Sequence, residues 1–280
     1  MRRTHAIFRR LTVFCVVSLA LCTSHSQAGE VTVAVASNFA GPMARLAAGF
    51  TAASGHTLRT SVGSTGKFYS QIVAGAPFEV LLAADIETPR RLIAEGHAVA
   101  GSNFSYAIGQ LVLWSALPGL ADDQGAVLAS GRFTKLAIAN PKLAPYGRAG
   151  LEVLKARGLG ATLSPKLVTG ESIAQAYQFV ATGNAELGFV ALSQVIGAGQ
   201  PRVNNAAPGG ANTQAPRGPV LPDKSATGSY WRVPSNLYSP IRQDAVLLQA
   251  GAKNAAAAAL LAYLKSGPAK AVIQAYGYGL

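Results

Sequence analysis

The chain has 280 residues, of which half are hydrophobic and 13% are charged, so it has enough apolar material for a packed core and is long enough for two domains. Its formal net charge is +12, yet the basic residues are scattered, and the longest basic run beyond the first ten residues is Arg90-Arg91. Nucleic-acid-binding surfaces cluster their basic residues and interleave them with aromatic ones, so this distribution argues against a nucleic-acid partner.

The N-terminal segment 1–28 has the organisation of a secretory signal peptide. Four arginines lie within Met1–Arg10, an apolar run extends from Leu11 to Cys22, and Ser26-Gln27-Ala28 has the small-x-small form of a cleavage site. We therefore expect cleavage near Ala28 and a periplasmic mature protein; a lipid anchor on Cys22 is disfavoured because a bulky leucine precedes it. Both cysteines of the chain lie in this segment, so the mature protein has no thiol with which to form a disulfide.

From residue 31 to residue 95, short apolar runs alternate with segments of helical periodicity. Strands and helices that alternate with short links predict a parallel, doubly wound sheet. The predicted strands are Val31–Ala36, Thr57–Val62 and Phe78–Ala83, and the predicted helices pass through Met43–Phe50, follow the turn Gly63–Gly66, and span Glu87–Glu95.

The same alternation predicts a second α/β lobe. Between residues 197 and 229 Gly, Pro, Ala and Asn dominate and periodicity disappears, which indicates an irregular excursion. A strand at Val246–Leu248 and two alanine-rich helices, Lys253–Leu264 and Ala269–Tyr276, are predicted to complete the chain. The predicted elements of the second lobe are the strands Gln110–Ser115, Lys135–Ala139, Lys166–Thr169 and Leu187–Val190, and the helices Ala121–Ser130, Arg148–Arg157 and Glu171–Ala181.

Uncharged hydrogen-bond donors stand at the carboxyl ends of several predicted strands, the edge at which doubly wound sheets bind ligands. Each donor alone is explained as an ordinary helix cap, but four groups on matching edges of two sheets favour a common anion site. Neutral donors and helix N-termini hold a desolvated dianion through many hydrogen bonds of fixed direction. The donors are Ser37, Asn38, Ser64, Thr65, Tyr146 and the N–H groups that open the helix at Glu171-Ser172-Ile173.

Two enzymatic motifs overlap the turn at Ser64. Ser64-Thr65-Gly66-Lys67 fits the S-x-x-K motif of serine acyl-transferases, and Lys265-Ser266-Gly267 imitates their K-[ST]-G, but the second motif ends a predicted helix where the chemistry needs a strand. A P-loop fails because Phe68 occupies the position of the Mg²⁺-binding hydroxyl. The histidines stand apart at non-ligand spacings, so no metal-cation site is predicted.

Five segments of the chain resemble the periplasmic molybdate-binding proteins of ABC importers, a branch of the type II periplasmic binding proteins. The resemblance implies an α/β fold of two lobes, each a mainly parallel sheet flanked by helices, with the ligand cleft between them. The first lobe would comprise residues 29–107 plus 240–280, and the second would comprise residues 108–239, including the 197–229 excursion. The segments are Val33–Phe39, Gly63–Asp85, Ala139–Gly150, Thr169–Val195 and Pro240–Gly251, in the order expected of the family.

Two features depart from the family pattern. The excursion is longer than usual, and Ala191 stands where another branch of the family carries a tyrosine. Carried over position by position, the resemblance implies an oxyanion site. Its residues would be Ser37, Asn38, Thr65 with Ser64 beside it, the Tyr146 hydroxyl and the Ile173 backbone N–H; counting along the motif favours Thr65 over Ser64 but leaves both open.

The resemblance further implies a binding protein with no enzymatic activity and no cofactor. It would capture molybdate and tungstate as oxyanions, bind no metal cation directly, act as a monomer and pass its ligand to an ABC permease in the inner membrane. Two alternatives stay open: a receptor for sulfate or another tetrahedral oxyanion, and a serine acyl-transferase that uses Ser64 and Lys67.

Overall fold

The computed structural model describes residues 28–197 and 228–280, which form two five-stranded sheets with helices on both sides of each sheet. The predicted signal peptide, apart from Ala28, and the predicted excursion, apart from its two ends, lie outside the described residues. In the described ranges no helix is both long enough and apolar enough to cross a membrane. The α/β fold predicted from the sequence is confirmed.

The first lobe is built on the sheet with strand order β2-β1-β3-β10-β4. The chain enters it at β1, leaves it after β4, and returns through β10 and two C-terminal helices. Its elements are β1 (Glu30–Ala36), α1 (Ala40–Ser54), β2 (Thr57–Gly63), α2 (Thr65–Val73), β3 (Val80–Leu82), α3 (Glu87–Ala94), β4 (Phe104–Gly109), and then β10 (Ile241–Leu247), α8 (Ala255–Leu264) and α9 (Gly267–Ala275).

The second lobe is built on the sheet with strand order β7-β6-β8-β5-β9. Its elements are β5 (Leu111–Ser115), β6 (Leu136–Ala139), α4 (Pro145–Ala156), α5 (Gly160–Leu163), β7 (Leu167–Gly170), α6 (Ile173–Ala181), β8 (Leu187–Ala191), α7 (Leu192–Gly197) and β9 (Ser229–Arg232).

Each sheet is mainly parallel, as predicted. In each sheet, a single strand is antiparallel to the other strands. In the first lobe β10 is antiparallel to both β3 and β4, and in the second β5 is antiparallel to both β8 and β9. The chain crosses between the sheets at Gln110, directly from β4 to β5, and again from β9 to β10. The lobe boundaries given above from sequence stay a prediction.

The cores follow from the alternation of side chains along the strands. On β1, Val31, Val33 and Val35 face the core made with α1, α8 and α9, whereas Ala34 faces the opposite core with Phe68 of α2. The second lobe has one large cluster that surrounds β5, β6 and β8. The first sheet is thus covered on both faces, as parallel sheets require.

Several predicted elements differ from the structure. The helix predicted at Ala121–Ser130 is wrong: only a short 3-10 helix, Ala126–Ala129, forms there. The Asp122 carboxylate accepts the backbone N–H groups of Gln124, Ala126 and Val127, and this competes with a regular helix. The sequence also gave no indication of β4, of β9 or of the first half of β10.

Candidate functional site

The two donor pairs of the first lobe lie at the same edge of its sheet. β1 and β2 are parallel neighbours whose last residues, Ala36 and Gly63, are paired, so the turns that follow them begin side by side. Ser37 and Asn38 open a 3-10 helix directly after β1, and Ser64 and Thr65 open α2 after β2. All four side chains are buried.

The second lobe presents its donors in the same way. The parallel strands β6 and β7 end together at Ala139 and Gly170, and the helices α4 and α6 start shortly after them. Tyr146 is the second residue of α4, behind Pro145 at the first helical position, where its fixed φ suits a helix start. Ile173 is the first residue of α6, behind the capping hydroxyl of Ser172.

Several contacts bring these turns of the two lobes together. The Gly66 N–H donates to the Leu143 carbonyl across the lobes at 2.9 Å, and the Ser193 hydroxyl donates to the Asn38 carbonyl at 2.8 Å. The 3-10 helix Ser37–Phe39 packs against α6, and therefore against the helix that Ile173 opens. The predicted donors of both lobes thus converge on one buried junction.

The sequence analysis missed the residues that connect this junction. Gln243 of β10 accepts from Asn38 Nδ2 at 2.9 Å and from the Tyr106 hydroxyl at 3.0 Å, and its Nε2 donates to the Tyr146 hydroxyl at 3.2 Å. Tyr278, near the C-terminus, accepts from Asn38 Nδ2 at 3.0 Å. Gln243 stands between Arg242 and Asp244, so its sequence neighbours do not mark it as buried. Its contacts and those of Tyr278 span 97 to 240 residues of sequence, beyond the reach of local patterns.

The side-chain nitrogen of Asn38 is fully engaged by this network. An amide nitrogen has two hydrogens, and those of Asn38 go to Gln243 and Tyr278. The donor that Asn38 keeps for a ligand is its backbone N–H, in the first turn of the 3-10 helix, where N–H groups lack a partner in the preceding turn.

Ser64 and Thr65 differ in their partners. The Thr65 hydroxyl oxygen accepts from the Ala84 N–H at 3.0 Å, which leaves its hydrogen to be donated elsewhere. The residue Ser64 is 4% exposed, and its hydroxyl is buried with no hydrogen-bond partner among the described residues. A buried hydroxyl without a partner is costly, so its presence indicates a function beyond packing.

The tyrosine hydroxyls of the junction are uncharged. Burial raises the pKa of Tyr106 and of Tyr146 well above the ordinary tyrosine value, and burial likewise raises the pKa of Tyr278. The three hydroxyls therefore keep their hydrogens at any physiological pH. No group of three His, Cys, Asp or Glu side chains within the described ranges is arranged to hold a metal ion.

A second feature is an open cavity of about 660 Å³ beside the junction, between α2 and α3 of one lobe and α4 of the other. The donors identified above are buried and do not line this cavity, whereas Gly66 and Leu143, which are hydrogen-bonded to each other across the lobes, do. The cavity is lined by charged groups of both signs, among them Asp85, Arg148 and Arg242.

The geometry does not suit the serine acyl-transferase mechanism. The Lys67 side chain is 58% exposed and lies 4.0 Å from Glu171, so it is solvated and paired with a carboxylate of the other lobe. Lys265 of the second motif caps the C-terminus of α8, not a strand. A serine nucleophile needs an adjacent base, and the Ser64 hydroxyl has no such partner in the described part of the chain.

Comparison with known proteins agrees with this architecture. A family described as bacterial extracellular solute-binding protein matches residues 31–279. The molybdate-binding protein ModA of Azotobacter vinelandii is 54% identical over 271 residues, which cover 97% of each chain. The protein of the same name from Rhodobacter capsulatus is 50% identical over 251 residues, covering 90% of this chain and 88% of that one.

The fold matches as well. The solved structure of the Azotobacter vinelandii periplasmic molybdate-binding protein superposes with a TM-score of 0.78 at 41% identity, covering 89% of this chain and 99% of that one. The resemblance inferred from the five sequence segments is confirmed. The chain belongs to the bacterial extracellular solute-binding proteins, and the molybdate-binding proteins are among its full-length relatives.

Proposed function

We propose that this protein captures molybdate, and also tungstate, at the buried junction between its lobes and delivers it to an ABC permease. The proposal rests on two full-length relatives that are named molybdate-binding proteins and are 54% and 50% identical to this chain. It rests equally on the chemistry of the junction.

The observation that carries the proposal is a buried set of donors that are all neutral. A dianion that leaves water must regain its hydrogen bonds inside the protein, because an unpaired buried charge is very costly. The junction offers hydroxyl groups and the N-termini of three helical segments, where the helix dipole favours negative charge. The proposed ligands are the hydroxyls of Ser37, Ser64, Thr65 and Tyr146 and the backbone N–H groups of Asn38 and Ile173.

The hydrogen-bonding partners of the two hydroxyls at the start of α2 favour contact with the anion in two different ways. Because the Thr65 oxygen already accepts from Ala84, its hydrogen is directed away from that N–H and toward the junction. Ser64 gains from an oxyanion the partner that its buried hydroxyl otherwise lacks within the described residues. We propose that both donate, with Thr65 as the residue that matches the family motif.

Charge and shape do not separate molybdate from sulfate, since both are tetrahedral dianions. Sulfate is smaller, so a receptor for sulfate is the nearest alternative function. Hydrogen phosphate differs because it carries a proton, which must be donated to an acceptor. The backbone N–H groups can only donate, and the Thr65 and Tyr146 oxygens already accept from Ala84 and Gln243, so these groups disfavour the protonated anion. The hydroxyls of Ser37 and Ser64 can either donate or accept.

Delivery to a permease would follow closure of the lobes around the anion. Contacts between the lobes, such as Gly66 with Leu143 and Asp85 with Arg148, are ones that a hinge opening would break. We further propose that the mature protein begins near residue 29, acts in the periplasm as a monomer and needs no cofactor.

Thermal unfolding of the mature protein with added anions tests the proposal. A ligand that binds the native state alone raises the unfolding midpoint in proportion to the logarithm of its concentration. We expect large upward shifts with molybdate and tungstate and smaller or no shifts with sulfate and phosphate. No shift with molybdate or tungstate would refute the proposal, and a shift with sulfate alone would favour the alternative receptor.

A further inference from the structure

We infer that Gln243 is a positioning residue that makes Tyr146 a hydrogen-bond donor to the bound anion, and that it thereby disfavours anions that carry a proton. The inference rests on the proposed oxyanion function and adds to it a residue that determines selectivity. Gln243 itself lies behind Tyr146 and acts through it.

The first support is the way the Gln243 amide is held. Its side chain is fully buried on β10, in the strand that returns from the second lobe to the first. Asn38 Nδ2 and the Tyr106 hydroxyl both approach its Oε1, at 2.9 and 3.0 Å. The Tyr106 hydroxyl has one hydrogen and also lies 3.1 Å from the Ala83 carbonyl oxygen, so the Asn38 donor is the group that fixes which end of the amide faces it. The NH₂ group of Gln243 therefore faces the other way.

The second support is the consequence for Tyr146. Gln243 Nε2 lies 3.2 Å from the Tyr146 oxygen and donates to it. An amide NH₂ group accepts nothing, so the tyrosine cannot give its own hydrogen back to Gln243. Its O–H hydrogen must then be directed elsewhere, to the neighbouring Tyr278 hydroxyl or to the proposed anion, and a bound dianion is the stronger of these two acceptors. With the amide reversed, the tyrosine would donate to Gln243 and present a lone pair to the anion.

The third support is that the backbone is shaped to let these two side chains meet. β10 has an irregular register against β4 between Gln243 and Asp244, and such bulges re-aim a side chain. Gly109 of β4 leaves the necessary space: a Cβ there would lie 2.7 Å from Gln243 Nε2 and 2.9 Å from the Tyr146 ring carbon that bears the hydroxyl. Any other residue at position 109 would push the pair apart.

The experiment changes the direction of the hydrogen bond while keeping the shape of the side chain. In a Gln243→Glu variant, the carboxylate oxygen that replaces Nε2 accepts from Tyr146, which then presents a lone pair to the anion. Gln243→Met, which neither donates nor accepts strongly, frees the tyrosine to do either. The dissociation constants of molybdate and phosphate are measured for each variant by titration calorimetry, with displacement where one anion binds weakly.

The charge of the glutamate weakens the binding of every dianion, so the decisive quantity is the ratio of the molybdate and phosphate dissociation constants. We expect Gln243→Glu to change that ratio in favour of phosphate by about ten- to a hundredfold. This range corresponds to the free-energy difference between a buried polar group that has a hydrogen-bond partner and one that lacks it. Gln243→Met should move it in the same direction by less. Tyr146→Phe combined with Gln243→Glu should abolish the change, because the hydroxyl that transmits it is gone.

The inference would be overturned if molybdate binding and phosphate binding weaken equally in both Gln243 variants. It would also be overturned if phosphate binding stays undetectable in both variants while molybdate binding weakens. Either result would leave the proposed function intact, provided that the unchanged protein binds molybdate. Failure of the unchanged protein to bind molybdate or tungstate would instead count against the proposed function. Tyr106→Phe serves as the matched control, since Asn38 Nδ2 still donates to Gln243 Oε1 in this variant and Tyr146 is untouched, so the ratio should stay unchanged.

Discussion

The carboxylate of Asp85 and the guanidinium of Arg148 lie 3.6 Å apart and join the two lobes at the rim of the open cavity. Asp85 follows β3 in the first lobe and Arg148 belongs to α4 in the second. The carboxylate is nearly buried, and one of its oxygens also accepts from the Thr88 N–H at 2.9 Å. Burial raises the pKa of Asp85 above its ordinary value of 3.8, so desolvation outweighs the attraction of Arg148.

The raised pKa gives a pH-dependence with a definite sign. The folded state holds the Asp85 proton more tightly than the unfolded state does. The contribution of Asp85 to the free energy of unfolding is therefore most favourable below pH 3.8, and it decreases as the pH rises through the raised folded pKa. In an Asp85→Asn variant, which keeps an acceptor for Thr88, this term is absent. The free energy of unfolding of the unchanged protein minus that of the variant should therefore fall between pH 3.5 and pH 7 in urea titrations. A difference that rises over this range would show that the ion pair dominates.

The two hydroxyls at the start of α2 should respond differently to removal. Ser64→Ala removes a buried hydroxyl with no partner in the described residues, so without added anion the variant should be more stable by about 1 kcal/mol. Thr65→Val leaves the buried Ala84 N–H unpaired and should cost about 1–3 kcal/mol. Both should weaken molybdate binding. Urea unfolding with and without molybdate measures each effect, and a Ser64→Ala variant that loses stability without anion would contradict the assignment.

Gly109 should tolerate no side chain. A Cβ there would collide with the Tyr146 hydroxyl and lie 2.7 Å from Gln243 Nε2, so we expect Gly109→Ala to cost about 1–3 kcal/mol and to weaken molybdate binding strongly. Gly160→Ala is the matched control, because a Cβ at that position meets nothing within 4 Å and its stability should change by no more than about 1 kcal/mol. Calorimetric titration and urea unfolding measure both variants. Normal binding by Gly109→Ala would show that Tyr146 is not a ligand.

Binding should be insensitive to alkaline pH. Because burial raises the pKa of Tyr146 well above the ordinary value of 10.0, its hydroxyl stays protonated where an exposed tyrosine has begun to ionise. The molybdate dissociation constant should therefore stay constant from pH 7 to pH 10. Tyr146→Phe, which removes one hydrogen bond to a charged ligand worth about 1.5–3 kcal/mol, should weaken binding about ten- to a hundredfold at every pH. A loss of affinity near pH 10 in the unchanged protein alone would assign an ordinary pKa to Tyr146.

The parts of the fold that sequence predicted well depend on local signals. The strand β1 and the turn after it are recognisable because valines alternate with small residues and polar caps follow directly. The helix predicted at Ala121–Ser130 failed because Asp122 binds the backbone N–H groups of its own turn, which composition does not reveal. The strands β4 and β9 were missed because pairing with distant partners stabilises them, not periodicity of their own.

The same distinction between local signals and distant contacts applies to the candidate site. Ser37, Ser64, Thr65 and Tyr146 could be proposed because each follows a predicted strand. Gln243 and Tyr278 could not, because they reach Asn38 from 205 and 240 residues away. Their hydrogen bonds decide which donors stay available, so the sequence predicts the groups that we propose contact the anion but not the network that directs them.

The location of the bound anion tests the central claim most directly. Tungsten scatters X-rays anomalously, so a crystal of the mature protein grown with tungstate would show the position of the oxyanion without ambiguity. The account predicts one strong anomalous peak at the buried junction, within hydrogen-bond distance of the Tyr146 hydroxyl, the Ser64 or Thr65 hydroxyl and the backbone N–H groups of Asn38 and Ile173. A peak instead in the open cavity beside Arg148 and Arg242, or no peak at the junction, would contradict it.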